Sequence, residues 1–202
     1  MLVYEATELE QDVGRYHPWT TSEKNSDSRY YDFKIHPELI PEVLEDFRPY
    51  AHFPAVQRFY DLVAWINGLG SCLESNDCEF QGSHTNIDAQ FEKKRRTRGR
   101  LMVLFRNLEI NCSPENVKWL EDCYALYLPM VLPHFYLGVV GLTKFRTHFT
   151  ALGKNGQILI LSFWSYGDDE YEAMENLDRT FEGIHKASVI VDAQVKKWAL
   201  CP

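Results

Sequence analysis

Recognisable metal-binding and disulfide patterns are absent from this sequence of 202 residues. Its five cysteines are odd in number and include no Cys-x-x-Cys pair, and its seven histidines form neither His-x-His nor His-Glu-x-x-His. This usage argues against a disulfide framework and against a zinc knuckle, so we expect reduced thiols. Cys72 and Cys78 could meet across a turn at residues 75–77, but a reducing compartment would leave them open. A metal site would need ligands from distant segments, and the sequence predicts neither a metal nor a cofactor.

Long apolar runs are also missing. The longest, from Met130 to Leu142, is interrupted by Pro133, His134 and glycines. It is much shorter than the roughly 20 residues that a membrane-spanning helix needs. The first residues are acidic where a signal peptide needs a basic segment followed by an apolar one. We therefore expect a cytoplasmic protein without a membrane segment.

Motifs for phosphate binding and nucleophilic catalysis are not recognisable. The glycines of residues 138–141 and 153–156 match neither the dinucleotide fingerprint nor the P-loop. Cys112 stands just before a predicted helix, whose dipole could lower the pKa of its thiol. A small apolar residue at the end of a strand is the favoured interpretation of Cys112.

Three segments have the spacing of amphipathic helices, and we expect each to pack by its apolar face. The first follows Pro54 and stops at Gly68, the second is capped by Ser113 and ends at Pro129, and the third starts near Asp168. Their apolar positions are Val56, Phe59, Tyr60, Val63 and Ile66, then Val117, Leu120, Cys123, Tyr124 and Tyr127, and finally Tyr171, Met174, Leu177 and Phe181. The tail from residue 188 to residue 200 fits either a strand followed by a helix or one helix.

Two uninterrupted aliphatic runs, Leu101–Phe105 and Ile158–Leu161, predict strands buried on both faces in the centre of a sheet. Each follows an alternating segment, at residues 85–91 and 144–151, so we expect two hairpins, each followed by a helix. The sequence therefore predicts an α+β fold, with amphipathic helices packed on a mainly antiparallel sheet. The pattern indicates a duplicated β-β-α unit, or the generic succession of a hairpin and a helix.

The composition predicts one folded domain. Apolar residues make up 45% and charged residues 25% of the chain, which is ordinary globular usage, and no stretch resembles a linker. Residues 1–28 are polar, with only Tyr16 and Trp19 as anchors. We expect a partly ordered N-terminal arm at 1–28 and a single α+β domain at 29–202.

Basic residues are concentrated in one segment of an acidic chain. The formal net charge of −8 disfavours a general affinity for nucleic acid. Six positive charges nevertheless lie within eight residues: Lys93, Lys94, Arg95, Arg96, Arg98 and Arg100. We expect these charges at the tip of a hairpin. Because no aromatic residues are interleaved with them, a solvated tip is favoured over a nucleic-acid contact.

The third predicted helix carries an excess of acids. Between residues 168 and 182 there are seven carboxylates and one arginine, and the helix dipole explains the first three of these acids but not the rest. A solvated helix face is one interpretation, and a steering patch for a basic partner is the other. The candidate partner-binding residues are Trp164, which follows a buried strand, and Asp168, Asp169, Glu172, Glu175 and Glu182.

The polar face of the predicted sheet offers an alternative site. His84 and Asp88 share a strand face at a separation of about 13 Å, too far for direct contact. A catalytic pair would need a second segment, for which Arg146 and His148 of the other hairpin are the candidates. A solvated strand face is the favoured interpretation of these residues.

The missing motifs, an aromatic content of 14% and the segregated acids suit a protein-binding module better than an enzyme. The most specific form of this hypothesis is a cytosolic immunity-type inhibitor that occludes a basic toxin or nuclease. Two alternatives stay open: a small enzyme built on His84, Asp88, Arg146 and His148, and a nucleic-acid-associated module that uses residues 93–100.

Overall fold

The computed structural model describes residues 1–5, 16–17, 50–76, 78–131 and 136–198. The strands are β1 (Leu2–Glu5), β2 (Tyr16–His17), β3 (Leu73–Ser75), β4 (Glu79–Thr85), β5 (Arg95–Phe105), β6 (Gly138–Phe149) and β7 (Lys154–Gly167). The helices are α1 (Pro54–Asn67), α2 (Pro114–Val131) and α3 (Glu170–Lys197). Short 3-10 segments lie at Tyr50–His52, Gln90–Glu92 and Leu108–Cys112.

The strands form one mixed, mostly antiparallel sheet in the order β1-β6-β7-β5-β3. The middle strand, β7, pairs antiparallel with β5 on one side and with β6 on the other. β3 and β4 pair antiparallel with β5, whereas β1 and β2 pair parallel with the two ends of β6. The predicted α+β class is confirmed. Of the predicted arm at 1–28, only β1 and β2 fall within the described residues.

The helices follow their sequence signals except at one end. α1 has Pro54 in its first turn and stops before Gly68, and Asp169 caps α3 by accepting a hydrogen bond from the Glu172 N–H. α2 continues through Pro129 to Val131, because a proline this close to a helix end removes only one late hydrogen bond. The ambiguous tail is one helix, since α3 runs without a break to Lys197.

Both predicted β-β-α successions are present, as β4, β5, α2 and β6, β7, α3. The first hairpin differs from the prediction in its connection. β4 already ends at Thr85, and β5 begins at Arg95. The prediction of basic residues at a hairpin tip is therefore wrong for Arg95–Arg100, which lie inside a strand paired on both sides.

All three helices pack on one face of the sheet, which we call the helix face. Alternate residues of β5, β6 and β7 join the helices in the main core there. This core includes Leu101, Leu142, Leu161 and Phe163 from the strands. Both predicted central runs are buried, as expected. A smaller cluster lies on the opposite face and consists of Met102, Leu104, Phe145, Phe149, Ile158 and Ile160.

The sheet curls around this smaller cluster at one end. His17 of β2 and Glu74 of β3 belong to strands on opposite sides of β7, yet His17 Nε2 lies 3.3 Å from Glu74 Oε1 and both residues are buried. The ring of His17 also packs on Phe149. Among the described residues, side chains of both edges therefore close this end of the opposite face.

Cysteine usage differs from the prediction. Cys72 is disulfide-bonded, whereas Cys78, Cys112 and Cys123 are not part of a disulfide. The expectation of reduced thiols throughout is wrong for Cys72, and the alternative pairing with Cys78 is wrong as well. Within the described part of the chain, no helix is long and apolar enough to cross a membrane.

Replacement of Gly99 by alanine should destabilise the protein. A Cβ at Gly99 would lie 2.5 Å from Cζ of Phe163 and would also clash with the carbonyl oxygen of Glu79. We expect Gly99→Ala to lower the free energy of unfolding by about 1–3 kcal/mol, measured by urea denaturation. Gly70→Ala is the control, because a Cβ there meets no atom within 4 Å. Equal stability of the two variants would contradict this packing.

Thiol titration should count the disulfide. One bridge uses two of the five cysteines, so the denatured, unreduced protein should react with three equivalents of a thiol reagent. After reduction it should react with five. Five equivalents without reduction would show that Cys72 is a thiol under the conditions of isolation.

Candidate functional site

Strand β5 presents three arginines on the face opposite the helices. Successive side chains of a strand point to opposite faces, so Arg96, Arg98 and Arg100 alternate with Thr97 and Gly99. Thr97 is fully buried on the helix face, where its hydroxyl lies 2.6 Å from that of Ser165. The arginines therefore project from the face of the sheet that none of the three described helices covers.

Aromatic side chains stand directly across from two of these arginines. In the β5–β7 register, Arg98 is opposite Trp164 and Arg96 is opposite Tyr166. Trp164 is half-buried, and its ring stacks on that of Tyr4 in β1 with centroids 6.2 Å apart. Tyr4 can lie flat on the sheet because its neighbour in β6 is Gly141, where a Cβ would be 2.6 Å from the tyrosine ring.

A chain of hydrogen bonds orients the arginines. Arg98 donates from Nε to Oε1 of Gln81 at 2.7 Å, and Gln81 donates from Nε2 to Oε1 of Glu79 at 2.8 Å. The second carboxylate oxygen of Glu79 lies 3.1 Å from NH1 of Arg100. These residues surround a depression of ≈ 310 Å³, which is lined by Glu79, Gln81, Arg98, Gly99, Arg100, Ser162 and Trp164.

We call this surface the Arg–Trp face and define it by Arg96, Arg98, Arg100, Ser162 and Trp164. Two of its arginines are paired with carboxylates: Arg100 with Glu79, and Arg96 with Asp88 at 3.2 Å. Arg98 is exposed, and within the described ranges no carboxylate forms an ion pair with it. As far as the described residues go, the face therefore has one guanidinium without a carboxylate partner, next to the half-buried indole ring of Trp164.

The pKa of His84 is affected by the positive charge of these arginines. It is the partner of Arg96 in the β4–β5 register, and its Nε2 is buried without a hydrogen-bond partner. Burial lowers the pKa of His84, and the positive charges of Arg98, Arg96 and Arg95 lower it further. The surroundings of His84 therefore disfavour its protonated form and favour an added negative charge.

A strained loop borders the Arg–Trp face between β4 and β5. Ala89, Phe91 and Glu92 have positive φ angles of 48°, 55° and 58°, a conformation that L residues adopt at a cost of about 1–3 kcal/mol each. The side chain of Asn86 holds the loop by donating to the carbonyl oxygens of Gln90 and Lys93. Phe91 packs edge-on against Tyr166, and its own ring stays partly exposed. The loop is thus tied to the second aromatic residue opposite the arginines.

The residues of the predicted alternative site lie at two ends of the sheet. The strand registers place His84 and Tyr166 at the same height along the sheet, and the backbone N–H of Tyr166 donates to the carbonyl oxygen of Leu137, just before β6. His148 is eleven residues further along β6. That separation corresponds to roughly 35 Å at the usual rise of a strand. Asp88 is paired with Arg96, and Nδ1 of His148 contacts Asn155. Arg146 lies on the same strand as His148, so the structure does not bring His84, Asp88, Arg146 and His148 into one pocket.

The acidic residues of the predicted partner-binding set have local partners. Lys93 contacts Asp168 at 2.7 Å and Glu172 at 3.0 Å. Asp169 is the cap of α3, and the outward pairs on that helix are Glu175 with Arg179 and Glu182 with Lys186. Trp164 lies on the face opposite α3. The predicted set therefore divides between two surfaces, and only Trp164 belongs to the Arg–Trp face.

Two further groups carry chemistry without forming a site. In the described ranges Glu5, Glu121 and Asp122 have the spacing of cation ligands, but Lys144 lies 2.6 Å from Glu121, and Lys118 contacts all three carboxylates. Cys112 is not activated. Burial raises the pKa of its thiol, and the nearby charge of Glu109 raises it further, in contrast to the predicted effect of a helix dipole.

Removal of the charge at position 98 should raise the pKa of His84. Arg98 disfavours the imidazolium, so Arg98→Gln should shift the NMR titration of His84 towards higher pH. Arg179→Gln, on the outer face of α3, is the matched control. An unchanged titration would place Arg98 away from His84.

The lowered pKa of His84 also predicts a pH dependence of stability. Because the folded protein binds a proton at His84 less readily than the unfolded chain does, the fold should lose stability as the pH falls below about 6.5.

Comparison with known proteins does not assign a function to the Arg–Trp face. No family model matches the chain, and neither the curated proteins nor the solved structures include one that is significantly similar to it. The function proposed below rests on the described residues alone.

Proposed function

We propose that this protein is a protein-binding module and that the Arg–Trp face is its interface. The carrying observation is the pair of Arg98 and Trp164, which lie directly opposite each other at the edge of a depression. Tryptophan, tyrosine and arginine are the residues most enriched among those that dominate binding energy at protein interfaces. All three types meet here, because Tyr4 stacks on Trp164.

The orientation of these side chains supports an interface. Trp164 is fixed by Tyr4 on one side, and Arg98 is fixed by Gln81 on the other. Side chains that are already ordered lose less conformational entropy when a partner binds. The face thus offers a rigid apolar contact next to a charged one, which suits recognition of another macromolecule.

Inhibition of a toxin, in the manner of an immunity protein, is the most specific form of this proposal and stays a prediction. The charge pattern of the sequence predicted a basic partner on the acidic helix. The ion pairs of Lys93, Arg179 and Lys186 with those acids reduce the field available to steer such a partner. We therefore propose the Arg–Trp face, and not the acidic helix, as the interface. We also propose a cytoplasmic location. The thiol titration tests it indirectly, because disulfides are rare in the cytosol.

One observation favours the nucleic-acid alternative. Aromatic residues are interleaved with the arginines after all, but across neighbouring strands and not along the sequence. Single-stranded nucleic acids bind to such faces by stacking and by phosphate contacts. The net charge of −8 opposes this alternative, as do the carboxylates of Glu79 and Asp88 on the same face.

Substitution of Trp164 should test the interface. The protein is used as bait in a nuclease-treated native extract, with the product of the neighbouring gene tried first, and each captured protein is identified and purified. We expect Trp164→Ala to weaken the binary complex by about 2 kcal/mol or more, roughly 30-fold in Kd, measured by calorimetry. The matched control is Trp198→Ala, since Trp198 is half-exposed at the end of α3.

The control should bind as the parent protein does. Both variants should unfold cooperatively in urea, with similarly lowered midpoints, because each loses one ring contact, of Trp164 with Tyr4 or of Trp198 with Trp119. A partner that binds Trp164→Ala and the parent equally would contradict the proposed interface. For the toxin version, co-expression of the parent with the partner should restore growth of cells that the partner arrests, and co-expression of Trp164→Ala should not.

A further inference from the structure

We infer that the depression beside Trp164 is a carboxylate-binding subsite, in which Arg98 holds an acidic residue of the partner. This inference rests on the proposed function and deepens it, because it states the chemistry of the segment that binds. The occupant is an acidic segment of a protein. An aspartate or glutamate would lie against Arg98, and an apolar or aromatic neighbour would lie against Trp164.

The first argument is the orientation of the Arg98 guanidinium. Its Nε–H is used by Gln81, which is itself held by Glu79. A planar guanidinium fixed through Nε keeps its two terminal nitrogens for one ligand. Two parallel hydrogen bonds from such a fork match the two oxygens of a carboxylate. The hydrogen-bond chain therefore prepares Arg98 for a bidentate contact.

The second argument is the charge of the face. Arg96 and Arg100 are compensated by Asp88 and Glu79, whereas Arg98 has no such ion pair within the described ranges. An anion beside Arg98 would complete the pattern of one carboxylate for each arginine. The same positive potential already acts on His84, whose protonated form it disfavours. Among the described residues, the site therefore has one carboxylate fewer than arginines.

The third argument separates a carboxylate from a nucleic-acid backbone. A single strand carries successive phosphates, and its affinity depends on several unpaired cations along one groove. Here the flanking arginines are already neutralised, so the next phosphates would approach Asp88 and Glu79. A single carboxylate next to an apolar group avoids this repulsion. The depression of ≈ 310 Å³ also has the size of a few side chains and not of an extended groove.

The experiment uses random dodecapeptides displayed on phage, selected on the immobilised full-length protein. We expect the enriched peptides to share an aspartate or glutamate next to an aromatic or aliphatic residue. One such peptide is then synthesised, together with its amide analogue in which the acid is replaced by Asn or Gln. Affinities are measured by fluorescence anisotropy for the parent protein, Arg98→Gln, Arg98→Lys, Trp164→Ala and the control Arg179→Gln.

The expected result is a coupled loss. Arg98→Gln should weaken the acidic peptide at least tenfold, Arg98→Lys should weaken it less, and Arg179→Gln should have no effect. The amide analogue should bind the parent as weakly as the acidic peptide binds Arg98→Gln, and should lose nothing further on that variant. Urea midpoints close to that of the parent check that the variants fold, since Arg98 is exposed.

Three outcomes overturn the inference. One is a selection that yields no peptide, or peptides whose binding survives Arg98→Gln. Another is loss of binding in Trp164→Ala but not in Arg98→Gln, which leaves the proposed interface intact and removes its carboxylate. The third is that labelled oligothymidine of 20 nucleotides binds more tightly than any peptide, with strong dependence on salt and on Arg98, which assigns the face to nucleic acid.

Discussion

The pairing of β5 with β7 fixes both faces of the sheet. From Arg95 opposite Gly167 to Val103 opposite Leu159, each pair places its side chains on one face. A slip of one residue along β5 would turn Arg96, Arg98 and Arg100 into the main core and expose its buried aliphatic residues. Because burial of three unpaired guanidinium groups is prohibitive, the arginines themselves help to specify the register.

Small residues secure this register from the helix face. Phe163 lies over Gly99, where a side chain would collide with it, and the Thr97 hydroxyl pairs with that of Ser165. Ser165 also donates to the carbonyl oxygen of Ala173 in the first turns of α3, which joins the helix to the same two strands. The positions that hold α3 in place therefore alternate along β5 with the arginines of the Arg–Trp face.

Local patterns in the sequence predicted the elements, and long-range contacts decided the site. The helical spacing from Val56 to Ile66 and the proline after Ser113 predicted α1 and the start of α2, because caps and periodicity are local. Arg96, Thr97 and Arg98 alternate with the period of a strand that has one buried face. The high density of charge in this segment instead favoured the prediction of a solvated hairpin tip. The position of Trp164 opposite Arg98 depends on a register between segments more than sixty residues apart, which no local pattern contains. The disulfide of Cys72 and the positive φ angles of the loop before β5 left no signal that could be read from composition or spacing.

The parallel pairing of β1 with β6 affects the order in which the chain can assemble during synthesis. Leu2 is paired with Val139, so the first strand leaves the ribosome long before the strand that it joins. The middle strand, β7, comes last in sequence among the described strands, and the ladders on both of its sides require it. Contacts between such distant segments are slow to form. Until β7 has been translated, β3 and β4 are the described strands with which the arginine-bearing strand β5 can pair, and the aliphatic half of β5 is a surface on which chaperones can act.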